Sequence, residues 1–350
     1  MTSKTAVPGQ RTPDILAAQI LNVGHGNCSF IYDGPSGIVV DVPAVGPLLD
    51  AMDRVGASSV DHLILSHADN DHIKGAAALM AHDEVTVRAL WANPDSTKLS
   101  EAFIDLLTVA ADRHQRGLID VRTNLNVGAN GALDCGRIGV RVLHPGILWA
   151  GVGPTKGKHP IGSITSNGMS AVLRIELDGN PAVLLPGDLD AKGFAEMQRV
   201  GVDMAAPVLV FPHHGGRSGA ANNREFASEL VQAVQPELVV FSHGRTSFLN
   251  PRKEIVDGIR DALGDKVQIA CTQVSRGCHA AELPGSLGGQ LGGYSQYPCA
   301  GSLSITATSR GISWRPGVKQ HGITIDSLDS PMCRTGKVDV GNITLRAGKK

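Results

Sequence analysis

Residues 62–75 read HLILSHADNDHIKG, and this stretch constrains the chain more than any other. Its apolar start has the length and composition of a strand, and the alanine-rich run after Lys74-Gly75 reads as a helix. Between them lie His67, Asp69, Asp71 and His72, four imidazole or carboxylate groups within six residues. These ligand types suit zinc, manganese or iron. At that spacing they cannot disperse along a helix face or a long strand. A tight turn at the strand end directs His67 and Asp69 to one side and Asp71 and His72 to the other, an arrangement suited to two neighbouring metal ions. A polar, acidic loop after a strand is also a common turn or helix cap, so the reading depends on what the rest of the chain supplies.

IVVDVP at 38–43 reads as a strand ending in Asp41. Two later strand ends carry ligand types: AVLLPGD at 182–188 ends in Asp188, and PVLVFPHHGG at 207–216 carries His213 and His214 before two glycines. The strand expected at 237–242 leads into Ser242-His243-Gly244. Other strands are expected around 15–23, 28–32, 62–66, 85–91, 118–122, 137–143 and 170–177, with helices at 46–56, 74–82, 98–115, 222–234 and after Pro251. In the 98–115 helix, Leu99, Phe103, Leu106, Leu107 and Ala110 fall close to one face. Two blocks of strands with outer helices predict an α/β fold, a four-layer αββα sandwich. Residues 144–168, rich in Gly, Pro, Lys and Ser, read as a long loop and a candidate lid. The chain divides into a disordered or extended N-terminus (1–14), a main domain (15–270) and a glycine- and cysteine-containing C-terminal extension (271–350) with a β-hairpin about Ser309-Arg310-Gly311.

A formal net charge of −1 gives no global attraction to nucleic acid or an anionic membrane, so any polyanion must meet a local patch. No apolar run approaches bilayer-spanning length and the first residues carry no apolar signal region, so a cytoplasmic protein without a membrane partner is expected. The six cysteines are few and irregularly spaced, unlike a secreted disulfide framework. Cys271, Cys278, Cys299 and Cys333, with His279 beside them, match none of the paired C-x-x-C zinc patterns. Buried free thiols are the expectation there, and a structural zinc site the alternative.

The order of HxDxDH between strand and helix, Gly-Asp after an apolar strand, and a histidine-bearing strand end resembles the metallo-β-lactamase-fold hydrolases over about residues 15–265. Within them LNVGHGNCSFI, SNGMSAVLRIELDGNPAVLLPGD and VLVFPHHGG are similar to the ComEC-like branch, whose best-known member is the hydrolase domain of a DNA-uptake competence protein. The resemblance implies a four-layer αββα hydrolase holding two divalent ions, zinc or manganese. It implies metal ligation by His67, Asp69, Asp71, His72, Asp188 as the bridge, and His213, with Asp71 and His214 in catalytic roles. Substrate contacts are expected from His25, His243, Arg217 and Arg245; Arg224, Arg252 and Lys253 are further cations expected near the site. Asn250 before Pro251 stands where the branch carries a histidine, which implies either a second metal held less tightly or substitution by His243; Asn167 fits the branch and argues against β-lactam or thioester hydrolysis.

The function implied is a two-metal phosphodiesterase or nuclease acting on DNA or RNA. The alternatives are hydrolysis of a small phosphoester or lactone, and a partner-activated or non-catalytic metal-binding module with a regulatory protein partner.

Overall fold

The computed structural model describes residues 16–155, 163–280, 297–308 and 311–334. The chain opens with β1 (Leu16–Ile20), β2 (Ser29–Asp33) and β3 (Ser36–Val40), an antiparallel meander. There follow α1 (Val45–Val55), β4 (Ser59–Ile64), α2 (Asn70–Ile73), α3 (Ala76–Met80), β5 (Thr86–Trp91), α4 (Glu101–Gln115) and β6 (Asp120–Arg122). A second block runs β7 (Ile138–His144), α5 (Ile147–Val152), β8 (Val172–Leu177), β9 (Asn180–Leu185), α6 (Ala191–Arg199), β10 (Val208–Val210), α7 (Asn223–Val234), β11 (Leu238–Phe241), α8 (Lys253–Leu263) and β12 (Gln268–Cys271). Then come β13 (Leu303–Thr308), β14 (Gly311–Arg315) and α9 (Gly317–Asp326).

These strands form an 8-stranded sheet in the order β14-β13-β1-β2-β3-β4-β5-β6 and a 6-stranded sheet in the order β12-β11-β10-β9-β8-β7. Three apolar clusters account for the layering. The first lies between the sheets and includes Ile20, Ile31, Ile38 and Ile64 from one and Val140, Leu173, Val183 and Val240 from the other. The second seals the outer face of the large sheet with Leu48 and Met52 of α1, Leu79 of α3 and Phe103 of α4. The third does the same for the small sheet with Phe194 of α6, Leu230 of α7 and Ile259 of α8. Two sheets faced by helices on both outer sides give the expected mixed α/β sandwich.

Local sequence explains most elements. β7 alternates buried and half-buried residues because one face meets the inter-sheet core, whereas β11, Leu-Val-Val-Phe, is buried throughout because helices cover its other face. Asn222 caps α7 by accepting from the Arg224 and Glu225 amides, and Asp190 caps α6 in the same way. In α4 only part of the expected apolar face is inside: Phe103, Leu106 and Ala110 are buried, while Leu99 is 81% and Leu107 51% exposed.

The differences from sequence expectation are informative. α5 lies within the stretch read as a loop, with Trp149 buried in a small apolar cluster of its own. α6, β12 and α9 were not expected; α6 and α9 each carry internal glycine, which weakens a helical signal. The C-terminal hairpin is not set apart from the main body: β13 pairs antiparallel with β1, so β13–β14 forms the outer edge of the large sheet. The N-terminal 1–14 segment, residues 156–162 of the long loop and the hairpin turn residues 309–310 lie outside the described residues. Among the described residues no helix is long and apolar enough to cross a membrane.

β3, β4 and β5 run parallel in one sheet, as do β9, β10, β11 and β12 in the other. The C-terminal ends of β3, β4, β9, β10 and β11 lead respectively to Asp41, His67, Asp188, His213–His214 and His243. Keeping these ends in register requires α8 to seat closely on α7. An added Cβ on Gly258 of α8 would meet the Arg224 carbonyl oxygen at 2.1 Å. Gly258→Ala is therefore expected to destabilise the protein by about 1–3 kcal/mol despite alanine's better helix propensity, which urea denaturation measures. Unchanged or raised stability would contradict so close a helix contact.

Candidate metal centre

The centre is built from the loop after β4, from α2 and from the turns after β9 and β10. Asp188 lies at its middle with 2% of its surface exposed. Its Oδ1 faces His72 Nε2 at 3.1 Å and His214 Nε2 at 3.5 Å; its Oδ2 faces His67 Nε2 and His213 Nε2, each at 3.9 Å. Each oxygen thus addresses its own pair of histidines. Asp71 Oδ2 lies 3.3 Å from both His214 Nε2 and His25 Nε2, and Asp69 Oδ2 lies 3.7 Å from His67 Nε2. The ligand atoms of Asp71, His72, Asp188 and His214 all lie within 4.8 Å of one another.

These atoms are close without being aligned as hydrogen bonds. His67 Nε2, His72 Nε2, His214 Nε2 and Asp188 Oδ1 are buried and have no hydrogen-bond partner. Buried polar atoms are seldom left so. Their convergence, with nitrogen and oxygen donors of the right kind, fits divalent metal ions. On the far side, the other ring nitrogens are held. His72 Nδ1 lies 2.7 Å from Asp41 Oδ2, and His214 Nδ1 donates to the Ser242 carbonyl at 2.8 Å, so both rings turn their Nε2 lone pairs inward. His67 Nδ1 lies 3.1 Å from Ser66 Oγ, which itself donates to Asp41 at 2.8 Å.

Backbone geometry makes these contacts reachable. His213 and His214 both adopt left-handed conformations, φ 52° and 55°, in a single 3₁₀ turn opened by Pro212. Such backbone is strained for non-glycine residues and tends to occur at sites. Gly187, φ 54°, has no room for a side chain: a Cβ would stand 2.2 Å from Ser170 Oγ, which accepts the Asp188 amide proton at 2.9 Å. Val42 N–H donates to the His72 carbonyl and Gly75 N–H to the Val42 carbonyl, fixing α2 against the end of β3.

The electrostatics favour charged carboxylates. For Asp188 burial opposes ionisation, but the charges of His72 and His214 outweigh it and hold the carboxyl well below the usual range. Asp71 is likewise raised by burial and then brought far down by His214 and His25. Asp69 balances burial against His67 and Lys98 and falls to about 2. For His72 burial works against the proton, yet Asp188 and Asp41 raise its value well above that of ordinary histidine.

All six expected metal ligands, His67, Asp69, Asp71, His72, Asp188 and His213, meet here, and so does His214, expected in a catalytic role. His214 is buried inside the close group, while the His213 side chain is 36% exposed at its edge. His25 also joins, its ring 4.4 Å from His214 and 4.5 Å from Phe248. Two of the expected substrate contacts are placed differently. His243 is fully buried with neither ring nitrogen hydrogen-bonded, and burial lowers its pKa to about 3. Arg245 directs its guanidinium to the carbonyls of Val274 and Ser275, joining two loops instead of facing the centre. Arg224, Arg252 and Lys253 pair with Asp261, Glu254 and Asp257, whereas Arg217 is exposed on the loop after the histidine pair. Asn250 is buried beside Gly216, and Asn167 opens a short 3₁₀ turn before Ser170.

Sequence reasoning gave no role to Asp41, Ser66, Ser170 or Lys98. Asp41 was visible only as a strand-end carboxylate, and its φ of 60° is what turns it toward His72. Lys98, which ion-pairs with Asp69, gives no signal in the sequence at all.

A family model for the metallo-beta-lactamase superfamily matches residues 21–109, the segment containing HxDxDH. The chain carries a metallo-β-lactamase superfamily domain. It is 26% identical over 214 residues to ComE operon protein 3 of Bacillus subtilis, covering 60% of this chain and 23% of that protein. It is 25% identical over 236 residues to Recombination protein 2 of Haemophilus influenzae, covering 64% and 24%. The chain thus spans about a quarter of the length of these relatives. Such relatives agree with the ComEC-like branch of the superfamily. Among solved structures, Igni18, a metallo hydrolase from Ignicoccus hospitalis, is 20% identical with a TM-score of 0.44, covering 72% of this chain and 94% of its own.

In this metallo-β-lactamase domain the Asp41 carboxylate orients His72 through its Nδ1. Asp41→Asn is expected to weaken metal affinity by about 10–100-fold with the secondary structure preserved. Metal titration by calorimetry, beside circular dichroism, checks it; unchanged affinity would deny Asp41 that role.

Proposed function

We propose that this domain is a two-metal hydrolase of phosphodiesters, with DNA or RNA as its substrate class. The observation that carries the reading is the division of Asp188: one oxygen addresses His72 and His214, the other His67 and His213. In this reading His67, Asp69 and His213 would hold one ion and Asp71, His72 and His214 the other, with Asp188 shared between them. Bound zinc or manganese supplies Lewis acidity and an activated water near neutral pH. The protein's share is orientation and exclusion. Asp41 and the Ser242 carbonyl fix the imidazoles, and burial of His67, His72, His214 and Asp188 keeps bulk water from the floor.

Substrate meets the open side, where Asp69 and Asp71 are 28% and 31% exposed. Asp71, between His25 and His214, is placed to accept and relay a proton there. Lys98 beside Asp69 and Arg217 on the neighbouring loop provide local positive charge for a phosphodiester, which the overall charge of −1 does not. The name of one relative, Recombination protein 2, favours nucleic acid over a small phosphoester or lactone. A partner-activated or non-catalytic module is the alternative from another class.

Purified protein given manganese or zinc is expected to cleave single- or double-stranded DNA or RNA faster than a small phosphodiester reporter. Asp71→Ala should lower kcat/KM by at least about 10²-fold with the fold intact. Preference for the small reporter would favour the second enzyme reading; metal uptake with no cleavage of any substrate would favour the partner-activated one. Equal cleavage by the variant would remove the activity from this site.

A further inference from the structure

The rim of the centre carries a side chain that the proposed chemistry does not use. Of the seven phenylalanines in the chain six are buried, and Phe248 alone is exposed, with 57% of its surface open. Leu249 beside it is exposed as well. Apolar residues scattered singly over a surface are ordinary and require no function. Phe248 differs in where it stands and in how it is held there.

Its ring lies 4.5 Å from that of His25, whose other neighbour is the His214 ring at 4.4 Å, so three rings run in series from the buried floor to solvent. The loop that carries Phe248 is pinned at both shoulders. At one, Gly244 is pressed so closely on the 24–26 turn that an added Cβ would stand 2.7 Å from the His25 amide nitrogen. The Arg245 amide donates to Gln273 Oε1 there, and its guanidinium to the carbonyls of Val274 and Ser275. At the other shoulder Asn250 is buried, and its carbonyl accepts from Ser275 Oγ at 2.7 Å. Residues 246–249 between them are exposed. Joining β11 to α8 does not require an aromatic ring at this open tip, yet the anchoring fixes one beside the centre.

We propose that Phe248 is the stacking platform for an unpaired nucleobase of the strand whose phosphodiester lies over the centre. This rests on the phosphodiesterase reading above and adds to it a means of selecting nucleic acid. Every base has a π-face, so stacking on one ring accepts any sequence. The placement suits a nucleotide: its base and phosphate are joined through one sugar, and Phe248 is separated from the floor by one ring, that of His25. The platform also needs no charge, which matters in a chain whose net charge is −1.

The test uses the single strand, DNA or RNA, that the metal-loaded wild type cleaves faster, with an abasic strand carrying the same phosphates as competitor. Phe248→Ala is expected to raise KM for the base-bearing strand by at least about fivefold with little change in kcat, and to raise the competitor's Ki by less. Phe248→Trp should restore KM, and its added tryptophan emission should be quenched by the base-bearing strand and not by the abasic one. An unchanged KM in Phe248→Ala, or a matching rise in the competitor's Ki, would overturn the platform while leaving the phosphodiesterase reading in place. Wild-type protein that cleaves no strand removes that reading, and the platform with it.

Discussion

A carboxylate with almost no exposure to water and four imidazoles around it is the constraint on which the rest of this structure depends. Burying an isolated carboxylate costs on the order of several kcal/mol, and the cost is met only if its partners are held in place. Asp188 therefore needs Gly187, whose missing side chain lets Ser170 receive the Asp188 amide, and it needs two sheets whose parallel strands deliver histidines from both sides. Neither sheet alone holds the set: His67 and His72 come from the large one, Asp188, His213 and His214 from the small one. The inter-sheet core of Ile, Val and Leu is thus also the frame of the centre.

The same constraint explains how much was legible in the sequence. Ligands within a few residues of each other, His67 to His72, declare themselves by local density. Asp188 and the pair His213–His214 were readable because each closes an apolar strand beside glycine. Their supports were not readable, because support acts across the fold: Asp41 reaches His72 over 31 positions, and Ser170 approaches His67 over 103. Nothing local distinguishes such residues from ordinary strand-end polar groups. Arg224 and Arg245 show the opposite limit. Their positions near strand ends were read correctly, but a guanidinium spans enough space to find a carboxylate or carbonyl elsewhere, as Arg224 and Arg245 do.

The fold was legible where periodicity was strong and obscure where packing decides. β7 and α7 show their faces in sequence, whereas α9, with two glycines and few buried side chains, is stabilised mainly by what it covers. The C-terminal hairpin illustrates a different limit. Alternation identifies two strands, but it does not say which edge they join. β1 leaves one edge of the meander unpaired, and β13 satisfies its backbone groups with register Ala18 to Ile305. An open edge on a sheet this large invites association between chains, so covering it from within makes residues after 300 part of the sandwich.

Exposure divides the centre into a floor and a rim, and the two answer to different demands. Floor residues His72, His214 and Asp188 are closed off and have their far sides bonded, so they can change little without leaving a buried group unpaired. Rim groups Asp69, Asp71 and His213 are partly open, and their neighbours Lys98, His25 and Phe248 are drawn from three unrelated segments. Phe248 is 57% exposed while its ring lies 4.5 Å from His25, an apolar surface at the edge of a polar centre. A floor fixed by burial and a rim assembled from loops lets one chemistry persist while the shape presented to substrate changes. Differences among related chains in what they cleave should accordingly fall on the rim loops, around residues 24–26, 93–99 and 244–250, with the floor kept.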